Sequence, residues 1–248
     1  MSAPVFRKKR KLLITCGAIL LVLALLIGAC GIYVGSYYHA DGAAVSAFAS
    51  EHAVSVQSLE NGVAFVPENP TTGVIFYPGG KVEHTAYEPL MRALAMGGIL
   101  CVLVEMPFRL AVLDVNAAEG ILQQFPGVTD WYMAGHSLGG SMAAAYLEKH
   151  TDAFTGLILL GAYSTADLSQ TTLRALSVYG SEDGVMNREK YEENKKNLPA
   201  AYSQYVIEGG NHANFGMYGE QKGDGKAALS PAQQIELTAH AILAFAHA

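Results

Sequence analysis

Charge is scarce along this chain, and cysteine scarcer still. Asp, Glu, Lys and Arg make up 15% of its residues, and the net charge of -6 comes with no basic patch or acidic tail in the body of the sequence. A nucleic-acid partner therefore has no electrostatic footprint to bind, and none is expected. The three cysteines form no disulfide framework: Cys16 and Cys30 lie in an apolar segment, and Cys101 sits in the apolar run Ile99 to Val104, where a buried thiol is expected. No Cys/His spacing suggests a zinc site, so no metal is expected. Internal repeats and low-complexity tracts are absent too, which excludes solenoids and disordered arrays.

Apolar residues are plentiful, at 51% of 248, enough for one sizeable core but too short a chain for two. Positive charge gathers only at the N-terminus, where Arg7, Lys8, Lys9, Arg10 and Lys11 precede an uncharged stretch from Leu12 to Tyr38. Its first part, Leu12 to Ile27, is almost purely apolar. About 20 such residues span a bilayer as a helix, and a preceding basic cluster stays on the cytoplasmic side, so the rest of the chain is expected outside. A buried core helix would need a polar face to show to water, and this segment has none. A secretory signal would have a shorter apolar region of about 7 to 15 residues. Ile27-Gly28-Ala29-Cys30 also resembles a bacterial lipoprotein signal, in which Cys30 is lipidated after cleavage. Every one of these alternatives except the core helix puts the protein on the outer side of a membrane. The expected division is a basic stub and signal anchor over 1–38, a linker and entry over 39–61, and a folded domain over 62–248. Within the 39–61 segment, Asp41 to Ser50 reads either as a linker or as a first short helix.

From Gly62 onward, short runs rich in β-branched residues alternate with longer helical patterns. This rhythm predicts an α/β fold, a mostly parallel sheet with helices on both faces. Strands are expected at Gly62 to Val66, Thr72 to Tyr77, Ile99 to Glu105, Asp130 to Ala134, Gly156 to Leu160, Ala175 to Tyr179 and Ser203 to Ile207. Helices are expected at Tyr87 to Met96, Val115 to Phe125, Leu138 to His150, Asn187 to Asn197 and Pro231 to Ala246. The last has the strongest start signal, with Ser230 as N-cap, Pro231 at the first helical position and Gln233 completing a capping box.

Between the strand ending near Ala134 and the helix opening at Leu138 lies Gly135-His136-Ser137-Leu138-Gly139. A G-x-S-x-G pattern alone is weak, but its strand-to-helix position is what a nucleophile elbow requires. The turn is so tight that side chains at its flanks would collide with the neighbouring strand or helix, and Gly135, Gly139 and Gly140 meet that need. A serine hydroxyl is a poor nucleophile until a base takes its proton. Of eight histidines, only His212 lies just after the last expected strand, on a loop at the same sheet edge as the elbow. The imidazole needs a carboxylate to fix its tautomer, and Asp183 follows the preceding strand at that edge. The order Ser137, Asp183, His212 places each residue at the C-terminal end of its own strand. For an oxyanion, backbone N–H groups are expected from Leu138 and from Gly80, in Tyr77-Pro78-Gly79-Gly80-Lys81.

Other polar residues near the motif read as structural. Glu105 ends a strand, where a surface or capping role is the simpler expectation. His84 reads as loop surface and His136 as an elbow spacer. Asp224 is the alternative triad acid, although its Gly-flanked setting reads more simply as a turn.

Together the blocks Tyr77 to Val82, Gly135 to Gly140, Tyr179 to Asp183 and Gly209 to Gly216 resemble the α/β-hydrolase superfamily, close to its compact dienelactone-hydrolase-like and "fold-5" members. The resemblance covers about Gly62 to Ala248. It implies an eight-stranded sheet and a cofactor-free hydrolase, with the eighth strand at Val54 to Leu59. True dienelactone hydrolases carry a cysteine nucleophile, so their substrate does not carry over. A small-molecule or lipid ester is the expected substrate, and the short segment from Gly161 to Arg174 leaves no room for a large lid. An acyltransferase with the same residues and a non-catalytic module of the same fold are the competing expectations.

Overall fold

The computed structural model describes residues 3–47 and 54–248. The chain divides after Tyr37 into two compact units. The first is a single helix, α1 (Ala3–Gly35). Its stretch Leu13–Gly35 is 23 residues long, apolar and unburied. At about 1.5 Å rise per residue it exceeds the ~30 Å hydrocarbon core of a bilayer. Its apolar side chains are uncovered, Leu20 being 66% and Ile27 73% exposed.

The second unit opens with Tyr38, which forms a parallel bridge to Val82. Next comes the short helix α2 (Gly42–Ala47), so this part of the stretch from Asp41 is helical; residues 48–53 lie outside the described residues. Eight strands follow: β1 (Ser55–Leu59), β2 (Gly62–Val66), β3 (Thr72–Tyr77), β4 (Ile99–Val104), β5 (Asp130–His136), β6 (Gly156–Leu160), β7 (Arg174–Gly180) and β8 (Ala201–Ile207). They form one sheet in the order β1-β2-β4-β3-β5-β6-β7-β8. The first two strands run antiparallel, and all pairings from β4 onward are parallel. The eighth strand lies where the family resemblance puts it. Its residues face mostly water, so it lacks the apolar run that marks an inner strand.

The inner strands divide their side chains between two cores, as a period of two dictates. Val74 and Phe76 of β3 and Cys101 and Leu103 of β4 face a core shared with α3 (Glu88–Met96) and α7 (Pro231–Ala246). Ile75 and Tyr77, with Val102 and Val104, face the opposite core, which contains Ala143, Ala144 and Leu147 of α5 (Leu138–Leu147). Two small helices, α4 (Ile121–Gln124) and α6 (Arg188–Asn194), complete the set.

The expected helix from Val115 to Phe125 is the main departure: only α4 is helical there. The buried Tyr77 hydroxyl donates to Val115 O (2.8 Å) and accepts from Ala118 N–H (2.9 Å). Those groups are thereby lost to a helical ladder, and Gly120, at φ 77°, turns the chain left-handed just before α4. Burial pushes the Tyr77 pKa far up, so the hydroxyl stays protonated and keeps both bonds.

At the start of α7 the capping box forms as expected: Ser230 Oγ accepts from Gln233 N–H (3.3 Å) and Ser230 N–H donates to Gln233 Oε1 (2.9 Å). Ser230→Ala should therefore cost about 1 kcal/mol, a fall in Tm of about 2–4 °C for a domain of this size, by calorimetry. An unchanged Tm would mean that this cap contributes nothing.

Candidate active site

β5 ends in a turn that few sequences can make. Ser137 stands at φ 52°, ψ -122°, left-handed backbone that costs a non-glycine residue about 1–3 kcal/mol. The surrounding glycines make the turn possible. A Cβ on Gly135 would lie 2.5 Å from Gly139 C, and one on Gly140 would lie 2.7 Å from Gly135 O. A Cβ on Gly139 would strike the Tyr77 and Pro78 carbonyls. Ser137 N–H donates to Leu160 O on the neighbouring strand (2.9 Å), fixing the turn at the C-terminal end of the sheet.

The loops after β7 and β8 bring a carboxylate and an imidazole together at the same end. Asp183 Oδ2 accepts from His212 Nδ1 at 2.9 Å, and both side chains are almost fully buried. The second oxygen, Oδ1, accepts from Val185 N–H (2.9 Å) and Met186 N–H (2.8 Å). Burial alone would raise the Asp183 pKa. The bond from His212 and the two backbone N–H groups overcome it and hold the carboxyl below its ordinary value. The far side of the imidazole is different: His212 Nε2 is buried with no hydrogen-bond partner. Buried polar atoms are nearly always paired, and among the described residues His212 Nε2 shares this unpaired state with His136 Nε2 and Arg92 Nε.

Gly161, directly after β6, completes the wall. It stands at φ 50°, and a Cβ there would lie 2.9 Å from His212 Nδ1 and 3.1 Å from Asp183 Oδ2.

The loop after β3 faces the elbow. A Cβ on Gly80 would lie 2.9 Å from Leu138 Cδ2, so the glycine loop packs directly against the Leu138 side chain. Gly79 N–H donates to the Tyr87 hydroxyl (3.1 Å) and Lys81 N–H to Arg109 O (2.8 Å). That leaves the Gly80 N–H of the three, while Leu138, at the first position of α5, has no intrahelical acceptor for its own.

Two residues matter here that sequence reasoning passed over. His136 is not a mere spacer: its Nδ1 bonds the Tyr87 hydroxyl at 2.8 Å, and its ring centroid lies 4.4 Å from that of His212. Burial and the neighbouring His212 keep its pKa well below the ordinary value, so it stays neutral. Tyr87 thus ties the glycine loop to the elbow. The signal that points to His136 is a polar residue inside an otherwise apolar strand end. Gly161 carries the signal of a glycine at the C-terminal tip of a strand. Glu105, by contrast, is exposed, and His84 lies in the 3-10 turn His84–Tyr87. Asp224 does not reach the imidazole; its carboxylate accepts from backbone N–H groups, those of His212 and Ala213 among them.

The alpha/beta hydrolase family model matches residues 73–236, from β3 into α7 and including the elbow and both loops. The chain belongs to this family. Among solved structures, an esterase from Pyrobaculum calidifontis is similar at a TM-score of 0.59 and 16% identity, over 83% of this chain and 90% of that one. A predicted CIB-like hydrolase from Thermoplasma acidophilum matches at 0.54 and 14%, over 77% and 99%. Est1E from Butyrivibrio proteoclasticus matches at 0.54 and 16%, over 78% and 97%. At such identities the likeness is one of fold. No curated protein matches the chain.

The depressed pKa of Asp183 makes its contribution to stability pH-dependent, with a definite sign. The contribution is complete above the ordinary carboxyl value of 3.8 and is lost as pH falls through the lower folded-state value. Denaturant titrations from about pH 5 to about pH 2 should show a larger loss of stability for the unmodified protein than for Asp183→Asn, which has no such proton to take up. Equal losses would show that folding does not favour the Asp183 carboxylate.

Proposed function

We propose that this chain is a serine hydrolase that cleaves ester or related acyl bonds through an acyl-enzyme intermediate at the outer face of a membrane. The observation that carries this reading is the buried Asp183–His212 pair, whose Nε2 has no partner, at the same sheet edge as the strained Ser137. In this reading Ser137 Oγ attacks the acyl carbon while its proton passes to His212 Nε2. The imidazolium so formed is steadied by Asp183, which stays ionised. The carbonyl oxygen becomes an oxyanion and takes N–H bonds from Gly80 and Leu138, each worth about 10²–10³ in rate where such donors have been removed. The intermediate collapses as the leaving alcohol takes the proton from Nε2. Water then repeats the sequence, freeing the acid and restoring Ser137.

Within the family, the short connection from Gly161 to Arg174 favours a compact, lidless, dienelactone-hydrolase-like member with an open site for small-molecule or lipid esters. The helix α1, with its basic cluster on the cytoplasmic side, would be a single-pass anchor for the enzyme. Lipidation at Cys30 is the competing mode of attachment, and Cys30→Ser separates the two, since it would abolish processing of a lipoprotein and leave an anchor in place. Because Tyr38 pairs with Val82, removal of residues 1–37 is the cut that spares the folded unit. The product should be soluble and as active as the full chain; loss of folding would make the helix part of the core.

A fluorophosphonate probe should label Ser137, and p-nitrophenyl esters of increasing chain length should be turned over. Added alcohols or amines would reveal transfer to a non-water acceptor. Ser137→Ala and His212→Ala should each lower kcat by about three orders of magnitude or more, with the double variant little worse than either, because the residues share one step. Asp183→Asn should lower the rate by about four orders of magnitude. Glu182→Gln, one residue away with an exposed side chain, should change it little. Additive losses, or an unlabelled Ser137 in folded protein, would overturn the reading.

A further inference from the structure

The loop Gly223 to Gly225 follows His212 and lies far along the chain from Asp183, and its central carboxylate touches the loops that carry both. Asp224 Oδ1 accepts from Gly184 N–H (3.1 Å), His212 N–H (3.2 Å) and its neighbour Gly225 N–H (2.8 Å), and Oδ2 accepts from Ala213 N–H (2.8 Å). Gly184 follows Asp183, and Ala213 follows His212. One half-buried side chain thus holds the backbone beside each member of the pair. Bonds from N–H groups to a carboxylate are charge-assisted and about twice as strong as neutral ones.

The surrounding backbone is shaped to let the carboxylate in. A Cβ on Gly184 would lie 2.8 Å from both Gly223 O and Gly225 N, and one on Gly225 would strike Glu182 O. Asn211 Nδ2 donates to Gly225 O (3.0 Å). On its other side Asn211 is fixed by the buried Gln234 of α7, which accepts from Asn211 N–H (2.9 Å) and donates to Asn211 O (2.7 Å). The two loops otherwise meet through few bonds, among them Glu182 N–H to Gly210 O (2.9 Å) and Gly209 N–H to Ser181 Oγ (2.8 Å).

We infer that Asp224 is a positioning residue, which clamps the loops bearing Asp183 and His212 so that the imidazole keeps its place between carboxylate and serine. The inference rests on the hydrolase reading above for its effect on rate, but its effect on the Asp183–His212 bond is separate and measured separately. An asparagine here has the right shape and only one accepting oxygen. With the amide oxygen in the place of Oδ1, the amide N–H group faces the Ala213 N–H and that bond is lost, which loosens the clamp on the His212 side; with the amide reversed, the bonds from Gly184 and His212 N–H are lost instead.

The test uses the full chain in detergent micelles. In proton NMR the Nδ1–H of a protonated His212 bonded to Asp183 should give a low-field resonance, assigned by its absence from Asp183→Ala. Asp224→Asn should broaden or remove that resonance while the circular dichroism stays unchanged. Its kcat for a p-nitrophenyl ester should fall about 10–100-fold, as a misplacement of about 1 Å does, with KM within about twofold. In Asp224→Gly, added formate should restore part of the lost kcat, because it refills the carboxylate position. A resonance and a kcat within twofold of the unmodified protein in both variants would overturn the proposal. So would an Asp224→Asn protein that loses its folded circular dichroism, since the residue would then serve the fold at large. If the unmodified chain turns over no ester, the hydrolase reading falls instead, and the resonance alone decides for or against the clamp.

Discussion

A carboxylate can stay ionised inside a protein only if hydrogen bonds replace the water it has lost, and that constraint shapes the active end of this molecule. Asp183 meets it with three donors: the imidazole of His212 and the backbone N–H groups of Val185 and Met186. To supply the imidazole, the loop after β8 must reach over the loop after β7. Gly180, whose Cβ would strike Gly210, lets the two backbones touch, and Gly161 leaves the space in which the pair sits. The low-dielectric setting that makes an unpaired charge costly also strengthens each bond that is made. The same setting leaves His212 Nε2 buried without a hydrogen-bond partner.

Strain and satisfaction are distributed unevenly around this site. Ser137 is held in left-handed backbone by the Leu160 carbonyl and by glycines that permit close approach, so the sheet and α5 absorb its cost. The glycine loop after β3 is held differently. Tyr87 and Arg109 take up the N–H groups of Gly79 and Lys81, and the Gly80 N–H between them is left unclaimed. Neutral His136, packed between Tyr87 and His212, joins the two arrangements without adding a charge that would compete with an imidazolium. Fold and site are thus one set of constraints, with the parallel strands fixing the height of every loop and the glycines fixing how closely they meet.

How much of this was legible follows from the range of each signal. The inner strands are continuous apolar runs because both faces are covered, so six of the expected segments need only local pattern to be recognised. The capping box of α7 is equally local. The edge strand β1 carries no such run, and only the family resemblance suggested it. The failed helix from Val115 to Phe125 shows the opposite case, a good local pattern overridden by a tertiary partner: the Tyr77 hydroxyl takes the backbone groups a helix would have used.

By itself, then, the sequence determined the α/β architecture, the apolar N-terminal helix and the positions of Ser137, Asp183 and His212 at strand ends, because strand period, helix signals and tight-turn glycines act over a few residues. The sequence favoured Asp183 over Asp224 as the partner of the imidazole, but only the tertiary structure decided what each carboxylate touches. Both are acidic residues in glycine-rich loops, 41 positions apart, and the strand before Asp183 is the local signal that favours it. One reaches the His212 ring and the other its backbone, a difference set by how the loops after β7 and β8 cross and by where the chain returns before α7. Contacts at that separation are fixed by the packing of the whole sheet, which no short window of sequence encodes.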